Sequence, residues 1–325
     1  MLISKHEDFN YGGIKLFCGS SHPELASQVA AFLGIELSQR EIVKFPNENI
    51  FVKLGESVRG KDVFILQTGF MPVSDNILEM LIMIDAVRRG SAARITLVMP
   101  YMPYGRSDKK DQPRVPITAR LMADLIKTSG ADRYITVDLH AGQIQGFFSI
   151  PGDEVTSFHL LSEYFLSKRD SLYNPTIVTA DLGFAKKGRN FAARLSMPMA
   201  FVEKRRTGND ATSEVMTVIG DVKDRDVVIV DDEISTAGSM KNTISVVKNY
   251  GARDVYVACT HPVFAGPAVE RLRAMPIKEL IVTNTVPTPD KSVLPSLTVL
   301  SVAPLLGEVI MRVHDGRSVG ELFNE

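Results

Sequence analysis

The chain has 325 residues, 45% of them hydrophobic, and its 37 Lys and Arg nearly balance 38 Asp and Glu, for a formal net charge of -1. That length allows one large or two medium domains with their own cores, and the balance of charge excludes a general attraction for nucleic acid or an anionic membrane. No apolar run approaches the ~20 residues that span a bilayer, MLISKHEDFNYGG lacks a signal peptide's apolar core, and Cys18 and Cys259 are too few for a disulfide framework or zinc site, so a reduced cytoplasm is expected.

Residues 14–18 read as a first strand, and Gly19-Ser20-Ser21 turns into a helix with apolar positions Leu25, Val29, Phe32 and Leu33. A polar turn over 43–49 then precedes a strand at 50–54, which reads as a hairpin. Strand 62–67 leads to a helix expected to begin near Asn76, with Glu79 placed for a capping box and Gly90 as its stop. After strand 94–100, the stretch 101–116 is too charged for a core element. Its Arg106, Lys109, Lys110 and Arg114 read either as a solvated loop or as a phosphate-binding one. Pro116 is expected at N1 of the next helix, which ends at Gly130. Strand 134–137 runs into Asp138 and His140, a histidine at the strand end where open α/β sheets bind ligands, or a structural one.

The second half opens with a helix around 158–165 and a strand at 176–180 that ends in Asp181, an N-cap or a ligand. A helix from about Lys186 leads to strand 199–202. Glu203-Lys204-Arg205-Arg206-Thr207-Gly208-Asn209-Asp210 then reads as a flexible cationic loop, either solubilising charge or a mobile clamp on an anionic substrate. Strand 215–219 follows. Val227-Val228-Ile229-Val230 has the composition of a buried parallel strand. Asp231 and Asp232 come next, an acidic pair able to grip vicinal sugar hydroxyls. The small turn Ser235-Thr236-Ala237-Gly238-Ser239 then opens a helix that stops at Gly251, offering amides and a positive helix end to an anion. After Ser301, the positions of Val302, Leu305, Leu306, Val309 and Ile310 predict an amphipathic helix that returns to the first half.

The halves repeat. KDVFILQTG, a helix and RRGSAARITLVMP parallel RDVVIVDDE, a helix and NYGARDVYVACT, with Asp62 matching Asp226 and Gly90 matching Gly251. On this register Gln67 and Thr68 fall opposite Asp231 and Asp232, so that only the second half keeps the acidic grip.

VVIVDDEISTAGS resembles the phosphoribosyl-diphosphate loop of the type I phosphoribosyltransferase fold, with Ser235 where that pattern has Asp. Together with TVDLHAGQIQGFF, the KRR run ahead of SEVMTVIGDV, and NILEMLIMIDAVRRGSAARIT, nearly the whole chain resembles the ribose-phosphate pyrophosphokinase family. The resemblance implies an α/β protein of two tandem type I phosphoribosyltransferase-like domains, each a mostly parallel sheet flanked by helices. Residues 1–153 with the C-terminal helix 302–325 would form the ATP side, and 154–301 the ribose 5-phosphate side.

The implied reaction moves the diphosphate of ATP to the 1-hydroxyl of ribose 5-phosphate, giving AMP and phosphoribosyl diphosphate for nucleotide biosynthesis. Phe45, Asn47, Asn49, Arg106, Ser107 and Asp108 would bind ATP, and Asp231, Asp232, Ser235, Thr236, Ala237, Gly238 and Ser239 the sugar phosphate. Lys204, Arg206 and His140 would be catalytic, His140 and Asp181 would lie by Mg2+, and Asp138 would support His140. Asn49 stands for the family's Glu and Ser107 for its Gln. A cytoplasmic homo-oligomer is implied, built from dimers and often hexameric. The rival classes are a non-catalytic regulatory homologue and a phosphoribosyltransferase; the retained His140, Asp181, Lys204, Arg206 and phosphate loop stand against the first, and the second half-repeat and Arg106 loop against the second.

Overall fold

The computed structural model describes residues 11–180, 183–206 and 214–323, with the side chains of 204–206, 214, 215 and 323 outside that description. The chain divides into two compact units, one running to Val155 and resuming at Val302, the other Thr156–Ser301.

The first unit begins β1 (Gly12–Cys18), α1 (Pro23–Leu33), β2 (Arg40–Lys44), β3 (Ile50–Leu54), β4 (Lys61–Leu66) and α2 (Val73–Arg89). It continues β5 (Arg94–Met99), α3 (Thr118–Ser129), β6 (Arg133–Val137) and β7 (Gly152–Val155). Among the described residues β1-β4-β5-β6-β7 form an all-parallel sheet, while β2 and β3 pair separately as an antiparallel hairpin. β4 and β5 are apolar and buried almost throughout, as parallel strands covered on both faces must be. Met80, Met83, Ile84 and Val87 of α2 and Met122 and Ile126 of α3 pack onto Val63, Ile65 and Leu97.

The second unit contains α4 (Phe158–Ser167), β8 (Thr176–Thr179), α5 (Ala185–Leu195), β9 (Met199–Arg206), β10 (Glu214–Ile219) and β11 (Val227–Glu233). α6 (Gly238–Asn249), β12 (Val255–His261), α7 (Ala268–Arg273), β13 (Glu279–Thr283) and β14 (Leu297–Leu300) complete it. The sheet order is β10-β9-β8-β11-β12-β13-β14 among the described residues, parallel except for the β9–β10 pair. β11 sits at its centre, and its side chains alternate with the period of a strand. Val227 and Ile229 join Met240, Ile244 and Val247 of α6, whereas Val228 and Val230 join Phe165 and Phe191 of α4 and α5.

After Ser301 the chain forms α8 (Ala303–His314), which belongs to the first unit. It packs on α1 so closely that a Cβ at Gly307 would lie 2.3 Å from the Phe32 ring. Its last residue, His314, places Nδ1 2.8 Å from the buried Asp62 carboxylate, which also accepts from Arg94 Nε at 2.9 Å.

Three local expectations are corrected. α2 starts at Val73, so Asn76 and Glu79 lie inside it rather than in a capping box; their side chains serve a buried network described below. α3 starts at Thr118, two residues beyond Pro116, because Ser107 takes over the capping of its first turn. The segment 203–206 is not loop but the end of β9, paired antiparallel with β10, Lys204 opposite Met216 and Arg206 opposite Glu214. Residues 207–210 lie outside the described residues.

Candidate active site

β11 is hydrogen-bonded to β8 on one side and β12 on the other, which aims its carboxyl end at the crevice where parallel sheets take ligands. The strand carries through the acidic residues, with Asp231 opposite Cys259 and Glu233 opposite His261. Asp231 is half-buried and accepts the Asp232 amide at 2.9 Å; Asp232 and Glu233 are buried. The Cys259 thiol beneath them donates to the Asp232 carbonyl at 3.5 Å. Burial pushes its pKa well above the ordinary thiol value, and the charges of Asp231 and Asp232 push the same way, so this sulfur stays protonated.

The turn after the strand is shaped for an anion. Ala237, at the N-cap of α6, adopts φ 59° and ψ 15°, a left-handed conformation that costs an alanine roughly 1 kcal/mol. Such a residue ahead of a helix curls successive amides into one concavity. Three consecutive carbonyls face the other way and are held there. Phe264 N–H donates to Ile234 O at 3.0 Å, Ala265 N–H to Ser235 O at 3.0 Å, and Arg271 Nη1 to Thr236 O at 2.9 Å. The backbone N–H groups of Ser235, Thr236, Ala237, Gly238 and Ser239 have no acceptor among the described residues. Several free amides at the positive end of a 12-residue helix, next to an acidic pair, suit a phosphate joined to a polyhydroxy sugar.

In the first unit the corresponding strand, β4, is followed by Gln67 and Thr68, which enter a network of side-chain hydrogen bonds. Gln67 is buried, accepts from the Ser21 hydroxyl at 2.6 Å and donates to Glu79 at 2.9 Å. Arg106, Ser107, Asp108 and His140 lie on two loops that touch. A Cβ added at Gly105 would lie 3.2 Å from the His140 Cβ, and Gln143 of the His140 loop donates to the buried Asp108 carboxylate. Arg106 and His140 are both exposed. Asp138 is buried, has φ 39°, and donates its N–H to Val155 O at 2.9 Å, which turns the chain sharply off β6 toward His140. Ser107 accepts the Thr118 amide at 3.3 Å through its hydroxyl and the Ala119 amide at 3.2 Å through its carbonyl.

Phe45, Asn47 and Asn49 occupy the tip of the β2–β3 hairpin. Phe45 N–H donates to Asn49 O at 2.9 Å, and Asn49 N–H to Asn47 Oδ1 at 3.2 Å. Phe45 is 46% exposed, an aromatic face open to a flat ring. The hairpin is tied to α2 by Lys44 and Asp75 at 2.8 Å. Asp181 lies outside the described residues; Lys204 and Arg206 have their backbone on β9 and their side chains outside the description. Among the described residues no group of three or more His, Cys, Asp or Glu could hold a metal ion, so a Mg2+ here would take its oxygen ligands mainly from nucleotide phosphates and water, with the exposed His140 beside that shell. The sequence reading missed the outer brace of the turn, residues 264–271, because nothing in spacing alone brings Arg271 to Thr236.

Two α/β units, each a mostly parallel sheet flanked by helices, with an acidic pair and a turn of open amides on the second, define a protein built of type I phosphoribosyltransferase-like halves. Residues 14–130 match the N-terminal domain of ribose phosphate pyrophosphokinase, and 209–324 the phosphoribosyl synthetase-associated domain. The ribose-phosphate pyrophosphokinase of Clostridium acetobutylicum is 44% identical over 317 residues, 97% of this chain and 99% of that one. The Wolinella succinogenes enzyme of that name is 47% identical over 311 residues, 96% of this chain and 99% of its own. The crystal structure of phosphoribosylpyrophosphate synthetase from Mycobacterium smegmatis superposes with a TM-score of 0.89 at 42% identity, covering 94% of this chain and 100% of that one. The chain belongs to the ribose-phosphate pyrophosphokinase family and is an enzyme of that type.

Proposed function

We propose that the chain transfers the β,γ-diphosphate of ATP to the 1-hydroxyl of ribose 5-phosphate, yielding phosphoribosyl diphosphate and AMP, and that residues 231–239 hold the sugar phosphate. The observation that carries this is the set of unpaired amides from Ser235 to Ser239 directly after Asp231 and Asp232. Asp231 and Asp232 accept from the ribose hydroxyls, and the amides of the turn, with the hydroxyls of Ser235, Thr236 and Ser239, receive the 5-phosphate. Phe45 stacks on the adenine, with Asn47 and Asn49 at its edge. Arg106 supplies charge to the triphosphate, while Ser107 and Asp108 shape that segment through α3 and Gln143.

His140 and Asp181 would hold the water shell of Mg2+, which would supply charge neutralisation to the phosphoryl oxygens. Lys204 and Arg206 meet the charge that shifts between the attacking and leaving oxygens, so their effect falls on the transition state. The enzyme works in the cytoplasm as a homo-oligomer built from dimers. Among the described residues no helix is long and apolar enough to cross a membrane.

The test is AMP release from ATP with saturating Mg2+ and ribose 5-phosphate. AMP and phosphoribosyl diphosphate are expected in equal amounts, and Lys204→Ala and Arg206→Ala should each lower kcat about 100-fold with the ribose 5-phosphate KM little changed. Wild-type protein that binds ATP but releases no AMP would overturn the catalytic reading in favour of a regulatory homologue.

A further inference from the structure

We infer that Arg271, on α7, is a positioning residue that sets the third amide of the phosphate cradle; this rests on the reading of residues 235–239 as that cradle. In a trans peptide the C=O and the following N–H point in opposite directions, and the only cis bond among the described residues is Met71–Pro72. Whatever holds a carbonyl outward therefore turns the next amide inward. Phe264 N–H does this for the 234–235 peptide, Ala265 N–H for the 235–236 peptide, and Arg271 Nη1 for the 236–237 peptide. The first two anchors are backbone groups that any sequence supplies. The third is a side chain.

That third peptide is also the one whose orientation is hardest to keep. Ala237 is in the left-handed region, which an alanine leaves readily unless its neighbours over-determine it. Without Arg271 the Thr236 carbonyl can rotate toward the concavity, bringing a partial negative charge where the phosphate should sit. The guanidinium is also close to the helix start, 3.7 Å from where a Cβ on Gly238 would be, so its charge reinforces the positive end of α6. Arg271 lies on the surface and Thr236 is exposed, so the unit's core does not depend on this bond.

The experiment is steady-state kinetics of Arg271→Ala and Arg271→Lys in the full-length chain, with thermal unfolding as a check on folding. Arg271→Ala should raise the KM for ribose 5-phosphate about ten-fold, the loss expected for one oriented hydrogen bond to a charged group, with the KM for ATP unchanged. Arg271→Lys should fall between the two, and millimolar guanidinium should recover part of the loss in the alanine variant while leaving wild type unaffected. An unchanged ribose 5-phosphate KM, a parallel rise in both KM values, or a fall in kcat alone would overturn the assignment. Thr236→Pro, which leaves one cradle amide missing, separates the two levels of inference. If it too leaves the ribose 5-phosphate KM unchanged, the cradle reading fails; if it raises that KM and Arg271→Ala does not, only the role of Arg271 fails.

Discussion

Behind β4 and behind β11 the chain faces the same problem and solves it in opposite ways. A parallel strand flanked by two others ends in a concavity lined with peptide groups that the sheet no longer pairs. In the first unit side chains fill it. Ser20 N–H donates to Glu79 at 2.6 Å, Ser21 N–H to Gln67 Oε1 at 3.0 Å, Thr68 N–H to Ser21 Oγ at 2.9 Å, and Gln67 Nε2 also reaches Asn76 O at 3.1 Å. Gln67 and Glu79 are buried and take the Ser21 and Ser20 amides that follow β1, while the Ser21 hydroxyl takes the Thr68 amide that follows β4. In the second unit the amides that follow the strand, Ser235 to Ser239, have no acceptor among the described residues, and the chain anchors the carbonyls of Ile234, Ser235 and Thr236 instead. One topology thus provides a structural joint or, on the function proposed above, a binding site, according to whether a glutamine or an aspartate pair lies at the strand's carboxyl end.

The largest effect should come from Asp231 and Asp232. Replacing both with Ala removes two charged acceptors for the sugar hydroxyls, each worth ~2 kcal/mol, so kcat/KM for ribose 5-phosphate should fall about a thousand-fold with the unfolding midpoint nearly kept. Kinetics that stay within a few-fold of wild type would mean that the two strand ends do not differ in the way described.

Next come the aspartates that begin the two strands. Asp62 is buried with Arg94 and with His314 of α8, whereas Asp226 accepts the Tyr173 amide at 2.8 Å and has Arg253 at 3.8 Å. Asp62→Asn leaves a mostly buried guanidinium without its counter-charge and loosens the hold on α8. A loss of about 3 kcal/mol is expected by denaturant titration. Asp226→Asn keeps an acceptor for one of its two backbone donors, the stronger Tyr173 amide rather than that of Asp254 at 3.4 Å, and should cost roughly 1 kcal/mol. Equal losses would show that α8 draws nothing from the Asp62 cluster.

Gln67→Ala should cost about 2 kcal/mol, since it leaves the Ser21 amide and hydroxyl without their acceptor and takes one of two donors from the Glu79 carboxylate in a buried site. It should leave the ribose 5-phosphate KM untouched. A variant that changes that KM at constant stability would make the filled joint a functional site after all.

Much of this was legible in the sequence, for reasons that differ by element. The apolar runs of β4, β5 and β11 announce parallel strands because both faces are buried, and the small residues after β11 announce the tight turn into α6 whose amides are left open. The doubling of the fold was visible in the Asp62/Asp226 and Gly90/Gly251 correspondence. What failed were local rules overridden by tertiary partners. Asn76 and Glu79 have the spacing of a capping box, yet Glu79 is drawn to Gln67, nine residues before Asn76. Lys204 and Arg206 read as loop because three cations in a row look solvated, yet β10 pairs with that backbone. Arg271 carried no signal, because its partner is a carbonyl 35 residues away.

The smallest effect concerns how each sheet ties in an acidic residue near its edge. The first unit buries Asp62 completely, while the second uses Glu279, at the start of β13 and next to the edge strand β14, in a partly open cluster. Glu279 accepts from Lys168 Nζ at 2.5 Å, from Thr298 Oγ1 at 2.7 Å and from the Tyr164 hydroxyl. Burial alone would raise its pKa, but the bonds from Lys168, Tyr164 and Thr298 outweigh it and the carboxyl sits below its ordinary value. The folded state therefore favours the ionised form. Its stabilisation is fully present above the unfolded carboxyl's pKa of about 4.3 and is lost as pH falls through the lower folded value. Glu279→Gln should be less stable than wild type by roughly 1 kcal/mol at pH 7, a modest figure because solvent reaches the cluster. The gap should narrow as the pH is lowered below about 4, where wild type loses the same charge. A calorimetric gap that stays constant from neutral to acid pH would show that the hydrogen bonds, not the charge, hold this edge, and would make the two units alike in that respect.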